Sequence, residues 1–243
     1  MTSLVTPALR GELAPTGTLR VGLNLSNTLL VSSAPADGEP TGIAPDLGRE
    51  LAGRLGVPVA FVRFPSPGEL VEAVSSGVWD VGLIGADPLR ASEIVFTPAY
   101  IEIEATYLVP ADSPIQRVEE VDRPGMRIAV AEKTAYDMYL RGALKHATLH
   151  HAQGGEATYE LFQREGLDAM AGLKVQLLND QPKRPGTRVL EGRFTAIQQA
   201  IGTPIQRTAA AAYLREFVQD IKRGLVAELI AKYRVPGVSV PPA

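Results

Sequence analysis

Short apolar runs alternate with amphipathic stretches along the first hundred residues, and the alternation predicts strands and helices in turn. Residues 18–25 (TLRVGLNL) read as a strand. Leu47, Leu51 and Leu55 then recur at i, i+4 and i+8, one apolar stripe of a helix that Asp46 can cap and Gly56 ends. Glu50 and Arg54 add an ion pair on its outer side. Residues 57–64 (VPVAFVRF) form the next strand. Ser66-Pro67-Gly68-Glu69 joins capping-box spacing to a proline at the first helical position, so a second helix follows, with Leu70, Ala73 and Val74 turned inward and Gly77 closing it. Residues 79–84 (WDVGLI) are a third strand. This βαβαβ order predicts a mostly parallel sheet covered by helices.

A second set of elements follows. Residues 101–109 and 127–131 (RIAVA) read as strands, separated by a polar, proline-bearing connection over 112–125. Helices are expected at 134–144 and 156–163, a strand at 167–171, and a turn-rich loop at 179–186 (NDQPKRPG). Residues 208–233 carry Leu214, Phe217, Ile221, Leu225 and Leu229 at helical spacing, with Thr208 as the cap. No repeat of solenoid type is present.

Composition narrows the function classes. The 243 residues are 45% hydrophobic and 21% charged, with a formal net charge of -3, so a core can be buried and no basic footprint for nucleic acid exists. The absence of cysteine excludes disulfides and thiolate chemistry. The first twenty residues lack a basic stretch followed by a long apolar run, and no segment has the length to cross a bilayer. The expectation is a cytoplasmic protein as the sequence is written, or a periplasmic one if a leader has been removed, with no membrane insertion.

Candidate chemistry sits in the turns after strands. Arg90 offers a guanidinium that can hold a carboxylate through two parallel hydrogen bonds. Lys133-Thr134-Ala135-Tyr136 lies where a strand turns into a helix, whose unpaired N–H groups accept an anion; Thr134 and Asp137 also have the spacing of a capping box. Asn24 and Asn27 follow the first strand, where ligand contacts and turn chemistry are equally natural. Glu102 and Glu104 share one face of an alternating strand. His146, His150 and His151 invite a metal, but the pattern KHATLHHA breaks helix character at Thr148 and reads as a surface connection, so no metal and no cofactor is expected. Nothing has the form of a phosphate loop, a dinucleotide turn or a nucleophile elbow.

Five segments together resemble the bacterial family 3 solute-binding proteins, the polar-amino-acid class that serves ABC transporters. They are the opening strand with Gly42-Ile43-Ala44-Pro45-Asp46-Leu47; Gly77-Val78-Trp79-Asp80-Val81; Asp87-Pro88-Leu89-Arg90 followed by Phe96-Thr97-Pro98-Ala99-Tyr100; the strand from Gly125; and the closing helix through Tyr233. The resemblance implies an α/β, two-lobed fold of the type II periplasmic-binding-protein class with two crossing hinge strands. Lobe 1 is expected over residues 1–108 and 197–243, and lobe 2 over 109–196. It implies hinge closure on a small ligand whose carboxylate is bound by the arginine matching Arg90; the other contacts expected from their places in the chain are Asp87, Gly85, Asn24, Asn27, Thr134, Ala135, Tyr136, Lys133, Glu104 and Gln198, with Gln199 beside it. ABC-transporter membrane subunits are the implied partners.

Departures from the family pattern matter as much. Its usual carboxylate for the ligand ammonium falls at Gly172-Leu173, where there is none. Its aromatic ligand contact falls near Asn27, its threonine at Asp87, and its usual glycine at Lys133. A standard α-amino acid therefore fits poorly, and a small carboxylate fits better. An enzyme on the same scaffold, a lyase like the cyclohexadienyl dehydratases, is the alternative; it needs a general acid, for which Glu132, Glu102, Glu104 or Asp87 is available.

Overall fold

The computed structural model describes residues 5–87 and 90–242. In chain order its elements are α1 (Pro7–Leu13), β1 (Leu19–Asn24), α2 (Ile43–Leu55), β2 (Val59–Phe64), α3 (Pro67–Glu72), β3 (Val81–Gly85), β4 (Ile94–Phe96), β5 (Ile101–Pro110), β6 (Arg127–Ala131), α4 (Ala135–Ala143), β7 (Thr148–Ala152), α5 (Gly155–Arg164), β8 (Ala169–Leu173), α6 (Lys174–Asp180), β9 (Thr187–Val189), β10 (Thr195–Pro204), α7 (Thr208–Ile221), α8 (Leu225–Tyr233) and β11 (Val238–Ser239). The chain divides into two compact units. Unit 1 holds the residues up to Glu102 and those from Gln198 onward; unit 2 is Ile103–Ile197. β5 and β10 each run from one unit into the other.

Unit 1 is a mixed sheet in the order β2-β1-β3-β10. β1 pairs parallel to β2 and β3, β10 pairs antiparallel to β3, and β4 adds to β10. Every side chain of β3 is buried, the pattern of a strand covered on both faces. Leu70, Val74, Trp79, Ile84 and Ile94 pack as one cluster, and the Trp79 indole N–H donates to the Leu70 carbonyl, so the ring buries its apolar area without an orphaned donor. α3 starts as expected, with Ser66 Oγ accepting from the Glu69 N–H and Pro67 at the first position. α2 begins earlier than expected: Gly42 is its N-cap, and Asp46 stands inside the first turn. Only glycine fits at 42, where φ is 135° and a Cβ would strike the Leu30 carbonyl oxygen. The Asp46 carboxylate instead fastens α8 to α2, accepting from Lys232 Nζ and Tyr233 Oη at 2.7 Å each and from Arg49 Nη1 at 3.0 Å.

The expected single helix over 208–233 is two helices. Gly224 breaks the run and becomes the N-cap of α8. Thr208 does not cap α7, for it is the first helical residue. The Glu12 carboxylate, from α1, accepts the Ala210 N–H at 2.8 Å and so satisfies one orphan donor of α7.

Unit 2 orders its strands β5-β8-β6-β7. β6 pairs parallel to β7 and β8, β5 runs antiparallel to β8, and β9 pairs antiparallel to β5. Leu108, Ala129, Tyr159, Phe162, Leu167, Met170 and Leu177 share its core. The histidine-rich stretch is not a mere connection: residues 148–152 are β7, a sheet-edge strand with an alternating pattern too polar to announce itself. Most of the expected loop at 179–186 is helical as well, since α6 runs to Asp180 and a 3-10 turn follows over Gln181–Lys183. Among the described residues no helix is long and apolar enough to cross a membrane.

Candidate functional site

Parallel strands present their carboxyl ends together, and loops there are where open α/β sheets meet ligands. In unit 1 those ends belong to β1 and β3, and antiparallel β10 brings Gln199 opposite Gly85. Asn24, the last residue of β1, is 8% exposed; its Oδ1 accepts from the Ser26 N–H at 3.1 Å and from Ser26 Oγ at 2.7 Å. That carbonyl is thus spent on the turn. Asn27 reaches across the sheet end, its Nδ2 donating to Gln199 Oε1 at 3.4 Å, while its own Oδ1 is buried with no hydrogen-bond partner. Gln198 Nε2 donates to Glu102 Oε1 at 2.7 Å.

Arg90 is the strongest charge here. The residue is 8% exposed, and its only side-chain hydrogen bond among the described residues runs from Nη1 to the Gly85 carbonyl at 2.9 Å. Burial pushes its pKa below the ordinary guanidinium value, and the charge of Asp87, itself buried, works against that shift. The bond to Gly85 uses one of five N–H donors, so the fork that could take a carboxylate is not consumed. Pro88 and Leu89 of the same motif lie outside the described residues.

Unit 2 presents the ends of β6 and β8. Past β6, Lys133 holds a left-handed φ of 60° and Thr134 caps α4. The capping box is present in altered form. Thr134 Oγ1 accepts from the Asp137 N–H at 3.1 Å, but the Asp137 carboxylate reaches one residue further back, to the Lys133 N–H at 2.9 Å. The Thr134 hydroxyl proton goes to the Ala131 carbonyl at 2.9 Å, so this hydroxyl cannot also donate to an anion. What remains for an anion is the set of backbone N–H groups opening α4 at Ala135 and Tyr136.

Asp137 is the residue that sequence reasoning undervalued. Its side chain is 1% exposed and accepts from Arg141 through both oxygens, at 2.9 and 3.0 Å, and lies 2.9 Å from His151 Nε2. Burial alone would raise its pKa; hydrogen bonds from Arg141, His151 and the Lys133 N–H outweigh burial and hold it below the usual carboxylate range. His151 is thereby tied to a carboxylate, His150 Nδ1 lies 3.4 Å from Glu165, and the His146 N–H donates to Asp122. The rings of His150 and His151 meet separate carboxylates, His146 is bound through its backbone N–H, and no cluster of metal-ligating side chains forms among the described residues.

Leu173 ends β8, and Lys174 begins α6. Lys174 Nζ donates to Glu104 Oε2 at 2.9 Å, and Arg193 Nη1 lies 3.8 Å from the other oxygen of Glu104. Sequence reasoning missed Lys174, which carries no distinctive motif, and named Tyr100 only as the end of Phe96-Thr97-Pro98-Ala99-Tyr100, with no role of its own; Tyr100 is fully buried, its hydroxyl has no partner among the described residues, and burial raises its pKa.

The model of the bacterial extracellular solute-binding proteins, family 3, matches residues 19–235 of this chain. No curated protein matches it in sequence. Among solved structures, a double mutant of the Bordetella pertussis BvgS VFT2 domain is similar at TM-score 0.72 and 17% identity, covering 95% of this chain and 99% of that one. A mutant of ArgBP from T. maritima is similar at TM-score 0.70 and 21% identity, covering 93% and 99%. The ancestral amino acid-binding protein AncCDT-1, a precursor of cyclohexadienyl dehydratase, is similar at TM-score 0.70 and 22% identity, covering 91% and 97%. At these identities the likeness is one of fold: an α/β fold of the type II periplasmic-binding-protein class.

Proposed function

We propose a function from one premise: the chain belongs to the bacterial extracellular solute-binding proteins, family 3. It binds a small solute, and our reading is that the solute is an organic anion, with Arg90 and the N–H groups opening α4 as the candidate carboxylate contacts. The observation that carries this reading is the guanidinium of Arg90, nearly buried beside the end of β3, hydrogen-bonded among the described residues only to a backbone carbonyl and with donors left over. A buried cation has a desolvation cost that an incoming carboxylate offsets through two charge-assisted hydrogen bonds.

Support for an anion without an α-ammonium group comes from unit 2. The carboxyl end of β8 offers Leu173 and Lys174, no acid, and Glu104 is already bound to Lys174. Binding is favoured over catalysis because Glu104 and Glu102 are both engaged in side-chain hydrogen bonds, with Lys174 and Gln198. The role we assign is the solute-binding component of an ABC-type uptake system or a related sensor, with the transporter's membrane subunits as partners and residence outside the cytoplasmic membrane.

A thermal-shift screen of small carboxylates, with analysis for products, tests the reading. At least one acid raises the melting temperature and is recovered unchanged. Stabilisation by α-amino acids alone, or conversion of a bound acid, rejects it.

A further inference from the structure

β7 is the edge strand of unit 2, and its two histidines face opposite sides, as successive strand residues do. His150 Nδ1 lies 3.4 Å from Glu165, the C-cap of α5. His151 Nε2 lies 2.9 Å from Oδ1 of Asp137, in the first turn of α4. The Asp137 carboxylate is fully occupied. Oδ1 takes His151 and Arg141 Nε at 2.9 Å each, and Oδ2 takes the Lys133 N–H at 2.9 Å and Arg141 Nη2 at 3.0 Å, one partner for each lone-pair direction. The same carboxylate therefore fixes the left-handed turn at Lys133 from which α4 sets out.

These partners keep Asp137 ionised, and an ionised carboxylate only accepts. Nε2 of His151 thus carries a hydrogen in either charge state, and the proton that comes and goes is the one on Nδ1. Titration of the ring changes the charge and leaves the hydrogen bond in place. Asp137 and Arg141 cancel, so the cluster is neutral beside a neutral imidazole and carries one positive charge beside a protonated one. The other groups around it are Lys133, exposed before the N-cap of α4; Glu132, whose charge acts on Arg141; and Tyr136, whose pKa burial raises. Asp122 binds the N–H groups of Lys145, His146 and Ala147 ahead of β7, and Glu165 lies on the His150 face. The N–H groups at Ala135 and Tyr136 stand in the same first turn as Asp137, so an anion there gains when the cluster turns cationic.

We infer that His151 is a positioning residue that works through Asp137: its protonation strengthens the hold on an anionic solute at the opening of α4, so the protein captures its solute more tightly in mildly acidic surroundings. The inference rests on the anion contact proposed above for α4 and adds its regulation. By reciprocity, the bound anion makes His151 harder to deprotonate.

Calorimetry of the full chain with pyruvate and with lactate, from about pH 5.5 to 8, tests this across the range where an imidazole titrates and both acids stay ionised. Binding weakens about fivefold as pH rises, the low end of couplings between sites, and the titration midpoint of the His151 ring, read by NMR, rises by about 0.7 of a pH unit when the acid saturates the protein. His151→Gln, which keeps a donor and does not titrate, binds at the weak level at every pH. His151→Lys, which keeps the charge, binds at the tight level at every pH. His150→Gln leaves the parent profile unchanged. Unfolding midpoints near that of the parent establish that each variant is folded. A flat parent profile, or one that survives His151→Gln, overturns the inference, while binding of the acids at all leaves the proposed function standing. Binding of neither acid at any pH also overturns the inference, and the wider screen of carboxylates then decides the proposed function by itself.

Discussion

The two units use one device at the start of their sheets and surround it differently. In unit 1, Asp80 precedes β3 and binds the start of β1 beside it: its carboxylate accepts the Arg20 N–H at 2.9 Å and the Arg20 guanidinium at 2.9 and 2.7 Å, while its own N–H donates to the Arg20 carbonyl. In unit 2, Asp168 precedes β8 and repeats the pattern with Arg127, accepting its N–H at 2.8 Å and donating to its carbonyl at 3.0 Å. The difference is water and a third member. Asp80 is fully buried and takes a second arginine, Arg207, at 2.8 Å. The Asp168 side chain is 36% exposed, its guanidinium contact has lengthened to 3.7 Å, and Arg127 instead donates to backbone carbonyls of Glu165 and Gly166. The same sequence idea, Asp before a buried strand, is a dry three-member lock in one unit and a solvated brace in the other. A motif thus sets geometry, and its burial sets its energy.

The largest effect expected from this contrast is on folding stability. Asp80→Ala leaves two partly buried arginines and a backbone N–H without their acceptor and destabilises the protein by about 3 kcal/mol, the lower end for a broken buried pair. Asp168→Ala costs about 1 kcal/mol or less, because water replaces what is lost. Equal costs in urea unfolding would show that burial does not separate the two devices.

Next comes ligand binding, which sharpens the contrast at the opposite ends of the strands. Arg90→Ala removes roughly 2–5 kcal/mol of binding free energy for whichever acid the protein holds, and Arg90→Lys recovers only part of it, since lysine lacks the fork. Calorimetry reads both; unchanged affinity in the alanine variant would move the carboxylate elsewhere.

Acid sensitivity is the third test. The folded-state pKa of Asp137 lies below its ordinary value, so its contribution is present above the unfolded-state value and is lost as pH falls through the folded value. Asp137→Asn lowers stability by roughly 1.5–3 kcal/mol near neutrality. The gap between parent and variant closes in acid, as urea midpoints measured from pH 7 downward will show.

The smallest effect concerns the borrowed cap. Glu12→Ala orphans the Ala210 N–H and costs on the order of 1 kcal/mol, a typical loss for a helix cap. A shift in the unfolding midpoint with unchanged slope is the expected sign.

The sequence made much of the fold legible. Period-3.6 and period-2 patterns mark α2, β1, β3, β6 and α4 because each buries one face or both against a regular neighbour. β7 escaped because an edge strand with histidines and threonine has little apolar surface to declare. The break at Gly224 escaped because the leucine stripe continues across it, with Ile221 before and Leu225 after. For the site, Arg90 was visible as a guanidinium beside a strand end. Lys174 was not, because an ordinary lysine becomes notable only once the pairing of β5 with β8 puts it opposite Glu104. Asp137 announced a capping box, but its hold on the Lys133 N–H depends on a left-handed backbone that no spacing predicts.

Unit 2 is one unbroken stretch of chain, whereas unit 1 is assembled from both ends. This gives the protein a birth order. Asp168 meets Arg127 across 41 residues, so unit 2 can close its brace as soon as it has emerged from the ribosome. Asp80 meets Arg20 after 60 residues but waits 127 more for Arg207, a delay of roughly 6–25 s at about 5–20 residues per second. Throughout that interval β3 also lacks its neighbour β10, and α1 lacks the helix it caps. The half made first is finished last, and the buried lock at Asp80 closes only when synthesis is nearly done.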